Sequence, residues 1–400
     1  MATGNVAIER APIPAPVLEV LAGLTAAGHR AFLVGGCVRD ALRGTVPKDF
    51  DIATNALPAQ VQAAFKKVIP TGIEHGTVTV VLKGEHVEVT TFRVEAEYLD
   101  GRRPSKVEFH ADIEADLSRR DFTINAMAYD PLRKELVDPF GGQADLEHGL
   151  IRCVRSAVER FNEDGLRAMR AVRFATVLDF TLEPETEAAI APTVPIFRKV
   201  AQERINQEFA KLLLAPKVAW GLQLLQRTTL LEQFLPEALG GDFDAVARVR
   251  PVLEQRLAVL LTHVMIGVRA ALVRLKCSNQ EAEMTDHLVR HRAVPSGDDA
   301  AIRRWLAVLG PEHSEAALAI NGALGIPADA ERVRAIVASK PPLTAKALAL
   351  DGKAVMAALG VGPSRVVGEA TRYLLELVLD DPSLNSAEAL TAAVLARFNP

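Results

Sequence analysis

The sequence predicts an α+β fold: a head in which strands and helices alternate, followed by a remainder built of helices alone. Three observations carry this. Short apolar or β-branched runs at residues 31–34, 76–83 and 86–93 read as strands and fall in the first third of the chain. From about residue 150 the strand signals cease. From Pro216 onward the chain is Leu- and Ala-rich helix, punctuated by Gly240-Gly241, Pro251, Pro311, Pro341-Pro342 and Pro363. At 400 residues, 49% of them hydrophobic, the chain can build two or three cores, here placed at 1–149, 150–240 and 241–400.

Residues 17–27 carry apolar side chains at helical spacing until Gly28 stops them. A buried strand at 31–34 then meets Gly35-Gly36, and 37–42 reads as the first turns of a helix. A glycine pair between strand end and helix start frees backbone N–H groups and lets a phosphate approach them, the helix dipole favouring negative charge. Arg39 adds a fixed positive fork. Residues 48–52, KDFDI, return to extended structure, where side chains two apart share a face, so Asp49 and Asp51 stand side by side. Two such carboxylates repel unless a cation sits between them, and hard oxygen ligands facing phosphate suit Mg²⁺.

Residues 57–67 read as an amphipathic helix. The runs at 76–83 and 86–93 form a hairpin about Gly84-Glu85, with Glu88 on the face opposite Val87 and Val89. Residues 95–107 are polar, contain Gly and Pro, and read as a mobile loop or a surface connection. In DLSRRDFTINAMA, residues 116–128, Arg119 and Arg120 are adjacent and point different ways, so one of them faces any phosphate; arginine's planar fork suits that task. The stretch LVDPFGGQAD, 136–145, ends the α/β part, with Asp138 and Asp145 as turn-fixing residues. FNEDGLRAMRAVRF, 161–174, has helical spacing that sets Asp164 and Arg167 on one face, with Arg170 and Arg173 on the drifting stripe. An ordinary charged helix face explains any one such pair.

The sharper reading is a base reader. Cytosine and adenine both show an amino donor beside a ring acceptor on the pairing edge, whereas uracil and guanine show an acceptor beside N–H. An Asp accepting from the amino group and an Arg donating to the ring nitrogen accept C and A and leave buried groups unpaired with U or G, a discrimination of roughly 10⁴-fold or more.

Composition narrows the field. A net charge of −4 confines any basic surface to local patches; residues 245–276 are one, with six Arg or Lys against Glu254 alone. That excess suits an RNA backbone or a solvated helical face equally. Cys37, Cys153 and Cys277 have neither metal-like spacing nor an even count, which points to a reducing compartment. No signal-peptide pattern and no membrane-length apolar run is present, so a cytoplasmic protein is expected. Two Trp and three Tyr argue against RNA recognition through many stacked aromatics.

VGGCVRDALRG with KDFDIAT resembles the first motif of the polymerase-β-like nucleotidyltransferases, in the version of class II tRNA CCA-adding enzymes and bacterial poly(A) polymerases. EDGLRAMRAVRF is similar to that family's EDxxRxxRAxRF at every specified position. The resemblance implies a nucleotidyltransferase head followed by an all-α neck, body and tail. It implies Mg²⁺ on Asp49 and Asp51, with Glu88 either a third acidic member or a solvated strand residue. Gly36, Arg39 and Arg120 then hold the triphosphate, Asp121 and Asn125 shape the ribose pocket, Asp164 and Arg167 read the base, and Arg170 and Arg173 hold the pocket or the phosphates. Arg204, Glu208 and Lys211 match a last motif that supports the reading helix, and 95–107 resembles the loop used in switching from C to A addition. The implied substrates are tRNA, CTP and ATP. A poly(A) polymerase, a CC- or A-only enzyme and a catalytically silent RNA-binding module are the alternatives. Residues 260–264 contain a His but no His-Asp pair, so no metal phosphatase activity is expected.

Overall fold

The computed structural model describes residues 8–98, 104–109, 112–264 and 266–398. The chain divides into two compact units, Met1–Pro236 and Glu237–Pro400. The first therefore takes in both the stretch read as head and the stretch read as neck.

The first unit is built on a mixed seven-stranded sheet. Its strands are β1 (Ala31–Val34), β2 (Asp51–Thr54), β3 (Val68–Gly72), β4 (Thr77–Leu82), β5 (Glu85–Thr91), β8 (Ala128–Asp130) and β9 (Glu135–Val137), in the order β3-β4-β5-β2-β1-β8-β9. β6 (Arg93–Tyr98) and β7 (Pro104–Phe109) form a separate antiparallel hairpin. Only β2 and β5 run parallel within the large sheet. Because side chains alternate along a strand, β1 feeds both faces. Leu33, Ile52, Val89 and Tyr129 pack on one side with Val20, Leu21 and Leu24 of α1 (Ala15–Ala26) and Val38 of α2 (Gly36–Leu42). Phe32, Val34, Ala53 and Ala128 pack on the other with Phe92 and with Ile113 and Leu117 of α4 (Ile113–Ser118). A central strand buried on both faces reads as a continuous apolar run, as this one does.

Several expectations are corrected. The helix expected at 57–67 is shorter, α3 (Pro58–Ala64); Phe65 is already extended and β3 follows. The β4–β5 turn is centred on Lys83-Gly84, not Gly84-Glu85. Both have positive φ, 52° and 87°, the pairing that a type I′ hairpin requires. The stretch at 95–107, expected as a loop, runs along β6 and β7, its register placing Glu95 opposite Val107; the tip, 99–103, lies outside the described residues. The pattern there, broken by Gly and Pro, hid two edge strands. A further two-residue parallel ladder joins β10 (Leu150–Ile151) to β11 (Thr181–Leu182), beyond the point where strands were expected to end.

After α5 (Gly142–Glu147) come the helices that pack beside the sheet: α6 (Ala157–Glu163), α7 (Leu166–Leu178), α8 (Pro184–Ala188), α9 (Ile190–Phe197), α10 (Gln202–Leu213) and α11 (Val218–Arg227). α7 is the centre of this group; eleven of its residues are buried, Arg167 and Arg173 included.

The second unit, taken by itself, is helical throughout its described residues. Leu348, Val355, Leu374, Val378, Leu390 and Val394 form one core, and Ile302, Leu306, Val333, Ile336 and Leu379 another. Helix Arg365–Asp380 belongs to both, since Leu374 and Val378 face the first and Leu379 the second. Three of the six basic residues at 245–276 pair with acids outside that stretch: Arg248 with Asp242, Arg269 with Glu283, and Arg274 with Glu237 at 2.7 Å. Among the described residues, no helix is long and apolar enough to cross a membrane.

Candidate active site

β1 delivers the chain to Gly35, whose φ of 74° and ψ of −130° is open to glycine and strained for any L side chain. A Cβ there would also lie 2.8 Å from Arg120 Nη1, so the guanidinium rests directly on the turn. Of the Gly35-Gly36 pair, Gly36 is the residue expected to hold the triphosphate, whereas Gly35 is the one whose conformation makes the turn. α2 starts at Gly36 and presents Arg39.

Asp51 opens β2, and Asp49 lies in the segment just before it. Both acids line two cavities, which also share Val46 and Lys48. One, of about 470 Å³, is bounded by Gly36, Cys37, Arg39, Asp40 and Arg43, and by Val177 and Leu178 of α7. The other, of about 650 Å³, is bounded by Pro12, Pro14, Phe50, His86 and Glu88. In the parallel β2–β5 ladder Asp51 is the register partner of Glu88, so the two carboxylates leave the same sheet face on adjacent strands. Desolvation, aided by Asp49, raises the Asp51 carboxyl above its usual range against the pull of Arg120. Desolvation and then Asp51 raise Glu88 likewise. Acids whose charged forms are disfavoured first by burial and then by one another are a donor set that a hard divalent cation relieves. Among the described residues, no three acids, histidines or cysteines are drawn together as a closed ligand set. Burial pushes the Cys37 thiol up to about 11, so it lines the smaller cavity as a neutral group.

Arg119 and Arg120, expected to point different ways, both reach the carboxylate of Asp116. Arg119 binds Asp116 through Nε at 3.0 Å and Nη2 at 2.8 Å, while Arg120 reaches Asp116 Oδ2 at 3.3 Å and leans over Gly35, its Nε buried without a partner. Burial works against Asp116, yet the two arginines hold its carboxyl below the usual range. Arg39 Nη1 donates to Asn125 Oδ1 at 2.8 Å, and Asn125 Nδ2 donates to Asp121 Oδ1 at 3.1 Å. Asp121 Oδ2 in turn accepts from Arg170.

The continuous helix expected across 161–174 is broken. α6 ends at Glu163, and Asp164 is extended, with φ −140° and ψ 107°. Its Oδ1 accepts from the Leu166 amide at 3.0 Å at the start of α7. Gly165 sits at the break because a Cβ there would come within 2.8 Å of the Ile196 carbonyl group in α9. Asp164 and Arg167 therefore do not share a helix face. Arg204 of α10 holds Asp164 bidentately, at 3.2 and 2.6 Å. Arg167 points back to Glu163 and to the carbonyls of Arg160, at 3.1 Å, and Arg119, at 2.9 Å. Arg204, Glu208 and Lys211 are not simply a ladder along α10. Glu208 takes Arg173 Nε at 2.8 Å and lies 3.7 Å from Arg170, with Lys211 at 3.3 Å. Arg170 and Arg173 are thus both committed to acids.

Of the residues expected to fix turns, Asp138 does so, accepting from the Gly142 and Gln143 amides at 2.7 and 2.9 Å. Asp145 does not; it is buried in α5, where it accepts from Thr123 Oγ1 at 2.6 Å and pairs with Arg152. Glu163, Asp116, Asp40 and Phe174 also shape the site and were not singled out. Glu163 and Phe174 stand at specified positions of the EDxxRxxRAxRF pattern, Asp40 follows Arg39 directly, and Asp116 is signalled by its i,i+4 spacing to Arg120.

Comparison with known proteins agrees with this architecture. Residues 31–152 match the Poly A polymerase head domain, and 179–239 match the family described as a probable RNA and SrmB-binding site of polymerase A. A CCA-adding enzyme of Streptococcus sanguinis is 38% identical over 390 residues, 94% of this chain and 96% of that protein. One from Geobacillus stearothermophilus is 38% identical over 392 residues, 95% and 96% of the two chains. The crystal structure of the Bacillus stearothermophilus CCA-adding enzyme in complex with CTP superposes with a TM-score of 0.83 at 34% identity, covering 97% of this chain and 98% of that one. The Thermotoga maritima CCA-adding enzyme complexed with tRNA shares the fold, with a TM-score of 0.69 at 20% identity. A match at this identity along nearly the whole length of both chains, with the strand–Gly-Gly–helix turn and the two acids in place, puts this protein in the CCA-adding enzyme family of nucleotidyltransferases.

Proposed function

We propose that the protein adds C and A to the 3′ end of tRNA from CTP and ATP, without a nucleic-acid template. The observation that carries the reading is that Asp49 and Asp51 border two cavities at once. In-line displacement at phosphorus needs the attacking hydroxyl and the departing pyrophosphate on opposite sides of the α-phosphate. The smaller cavity, with the Gly35-Gly36 turn, Arg39 and nearby Arg120, suits the triphosphate. The larger, with Phe50, His86 and Glu88, suits the RNA end. The tRNA 3′-oxygen forms its bond to the α-phosphorus, the bond to the β-phosphate oxygen breaks, and pyrophosphate leaves.

Asp49 and Asp51 would hold Mg²⁺, with Glu88 beside them. When bound there, the metal neutralises charge on the phosphates and lowers the pKa of the attacking hydroxyl. Asp121 and Asn125 fix Arg39 and line the ribose side. Asp164 and Arg167 read the base: Asp164 is aimed by Arg204, and Oδ2, with one hydrogen bond described, keeps a lone pair for an amino donor. The CTP complex of a relative 34% identical to this chain supports a cytidine substrate. Cytoplasmic residence belongs to the same reading, in keeping with three buried, free cysteines. The test is incubation with tRNA lacking its 3′ CCA. CTP alone should add C, and ATP should then add a single A. Long adenylate tracts without use of CTP would overturn the assignment in favour of a poly(A) polymerase.

A further inference from the structure

Phe174 lies in α7, buried, with three guanidiniums around its ring. Arg173 stands 3.5 Å from the ring centroid, and Arg39 and Arg170 stand 5.2 Å from it; Phe122 packs edge-on at 5.7 Å. Three cations converge here because each has its own acid: Asp40 for Arg39, Asp121 for Arg170 and Glu208 for Arg173. The cations come from different elements. Arg39 belongs to α2, which lines the smaller cavity from the Gly35-Gly36 turn, whereas Arg170 and Arg173 belong to α7. The same α7 begins at the Asp164 break and supplies Val177 and Leu178 to the lining of that cavity. A hydrogen-bonded path parallels the ring, from Arg39 through Asn125 and Asp121 to Arg170.

We infer that Phe174 is a positioning residue: its ring ties Arg39 on the phosphate side to the helix that starts at the base-reading pair, so that a correctly read base aligns the phosphate-side guanidinium. The inference rests on the reading of Asp164 and Arg167 given above. The physical basis is the negative face of the aromatic ring, which attracts guanidiniums most strongly when water is excluded. An aliphatic side chain of similar bulk fills the space without that attraction. Arg39 would then be held by Asp40 and Asn125 alone, and α7 could move without it.

The test compares Phe174→Leu and Phe174→Tyr in single-turnover incorporation of CTP and UTP, with thermal unfolding as a control. For the Leu variant, kcat with CTP should fall about tenfold, KM for CTP should change less than about threefold, and the preference for CTP over UTP should fall by a similar tenfold factor. The Tyr variant, which keeps the ring face, should stay within about threefold of the parent in each quantity. A folded Leu variant with parental kcat and preference would overturn the proposal. So would a folded Tyr variant as impaired as Leu, because shape rather than the ring face would then be at work. If the Leu variant does not fold, Arg39→Lys decides, since it keeps the charge and loses the flat stacking group. It should show the same fall in preference, and an unchanged preference would overturn the proposal. Asp164→Ala separates this from the underlying reading: loss of the CTP-over-UTP preference there with an unaffected Phe174→Leu removes only the coupling, whereas a retained preference removes both.

Discussion

Replacing Asp121 with Asn keeps the outline of the side chain and removes its charge. In the structure Oδ1 accepts from the Phe122 amide at 2.9 Å and from Asn125 at 3.1 Å, and Oδ2 accepts from Arg170 Nε at 2.9 Å. Burial alone would raise this carboxyl. Arg170 first, then the hydrogen bond from Asn125, outweigh burial and bring the pKa from 3.8 down to about 2. A lowering of that size corresponds to about 2 kcal/mol of stability while the group is ionised. Asn also removes the closest acid from Arg170, leaving Glu208 at 3.7 Å and the more distant Asp164, which brings the expected loss to about 2–4 kcal/mol. The folded pKa is below the unfolded one, so the contribution is complete above the unfolded pKa and is lost as pH falls toward 2, with about half gone near pH 3. Each compact unit has one tryptophan, Trp220 in the first and Trp305 in the second. In a Trp305→Phe background, urea unfolding followed by Trp220 fluorescence reports the first unit alone. The Asn variant should unfold at lower urea at pH 7, and its deficit should shrink as pH is lowered. An equal deficit from pH 7 to pH 3, or none at pH 7, would refute the electrostatic argument.

Other outcomes follow from the same geometry. Gly35→Ala forces an L side chain into the φ 74° conformation and pushes a methyl into Arg120; it should cost about 1–3 kcal/mol and raise KM for CTP and ATP together, as measured by unfolding and steady-state kinetics. Asp49→Ala should lower incorporation on the order of 10³-fold or more while leaving the melting temperature within a few degrees, because Asp49 is exposed. Arg204→Ala removes both bonds that aim Asp164, so discrimination of CTP from UTP should fall on the order of tenfold to a hundredfold with little change in triphosphate affinity. Asp51 and Glu88 have raised folded pKa values, so protons compete with Mg²⁺ there. The apparent Mg²⁺ affinity measured by calorimetry should therefore fall as pH drops toward the carboxylate range, with proton release on binding. In the metal-free protein the sign for stability is the reverse of that for Asp121: the ionised pair is unfavourable, and this penalty grows as pH rises through the ordinary carboxylate range.

What could be read in advance depended on how far apart the participating residues lie. The strand, glycine pair and DxD were legible because all fall within residues 31–52 and obey local periodicities. The placement of Glu88 opposite its valines followed from the period of two, and the β2–β5 register added that its neighbour is Asp51. The break at Asp164 was not legible. Its cause is the backbone of α9 at Ile196 and a partner forty residues away, Arg204, and helical spacing carries no trace of either. Asp145 misled for the same reason, since Thr123 and Arg152 turn a presumed loop acid into a buried one. The hairpin of β6 and β7 was missed because two-stranded ribbons tolerate polar, glycine-containing sequence that reads as loop.

The order of strands in the sheet bears on how the head assembles. β1 lies between β2 and β8, and Asp51 meets Glu88 only after the chain has crossed through α3, β3 and β4 to lay β5 parallel to β2. Parallel pairing of this kind closes long loops before any contact rewards it, and such steps are slow. A chain emerging from the ribosome would hold its glycine turn early and its acidic pair late. Nucleotide added during synthesis should therefore protect the head from proteolysis only once residues beyond β8 have emerged.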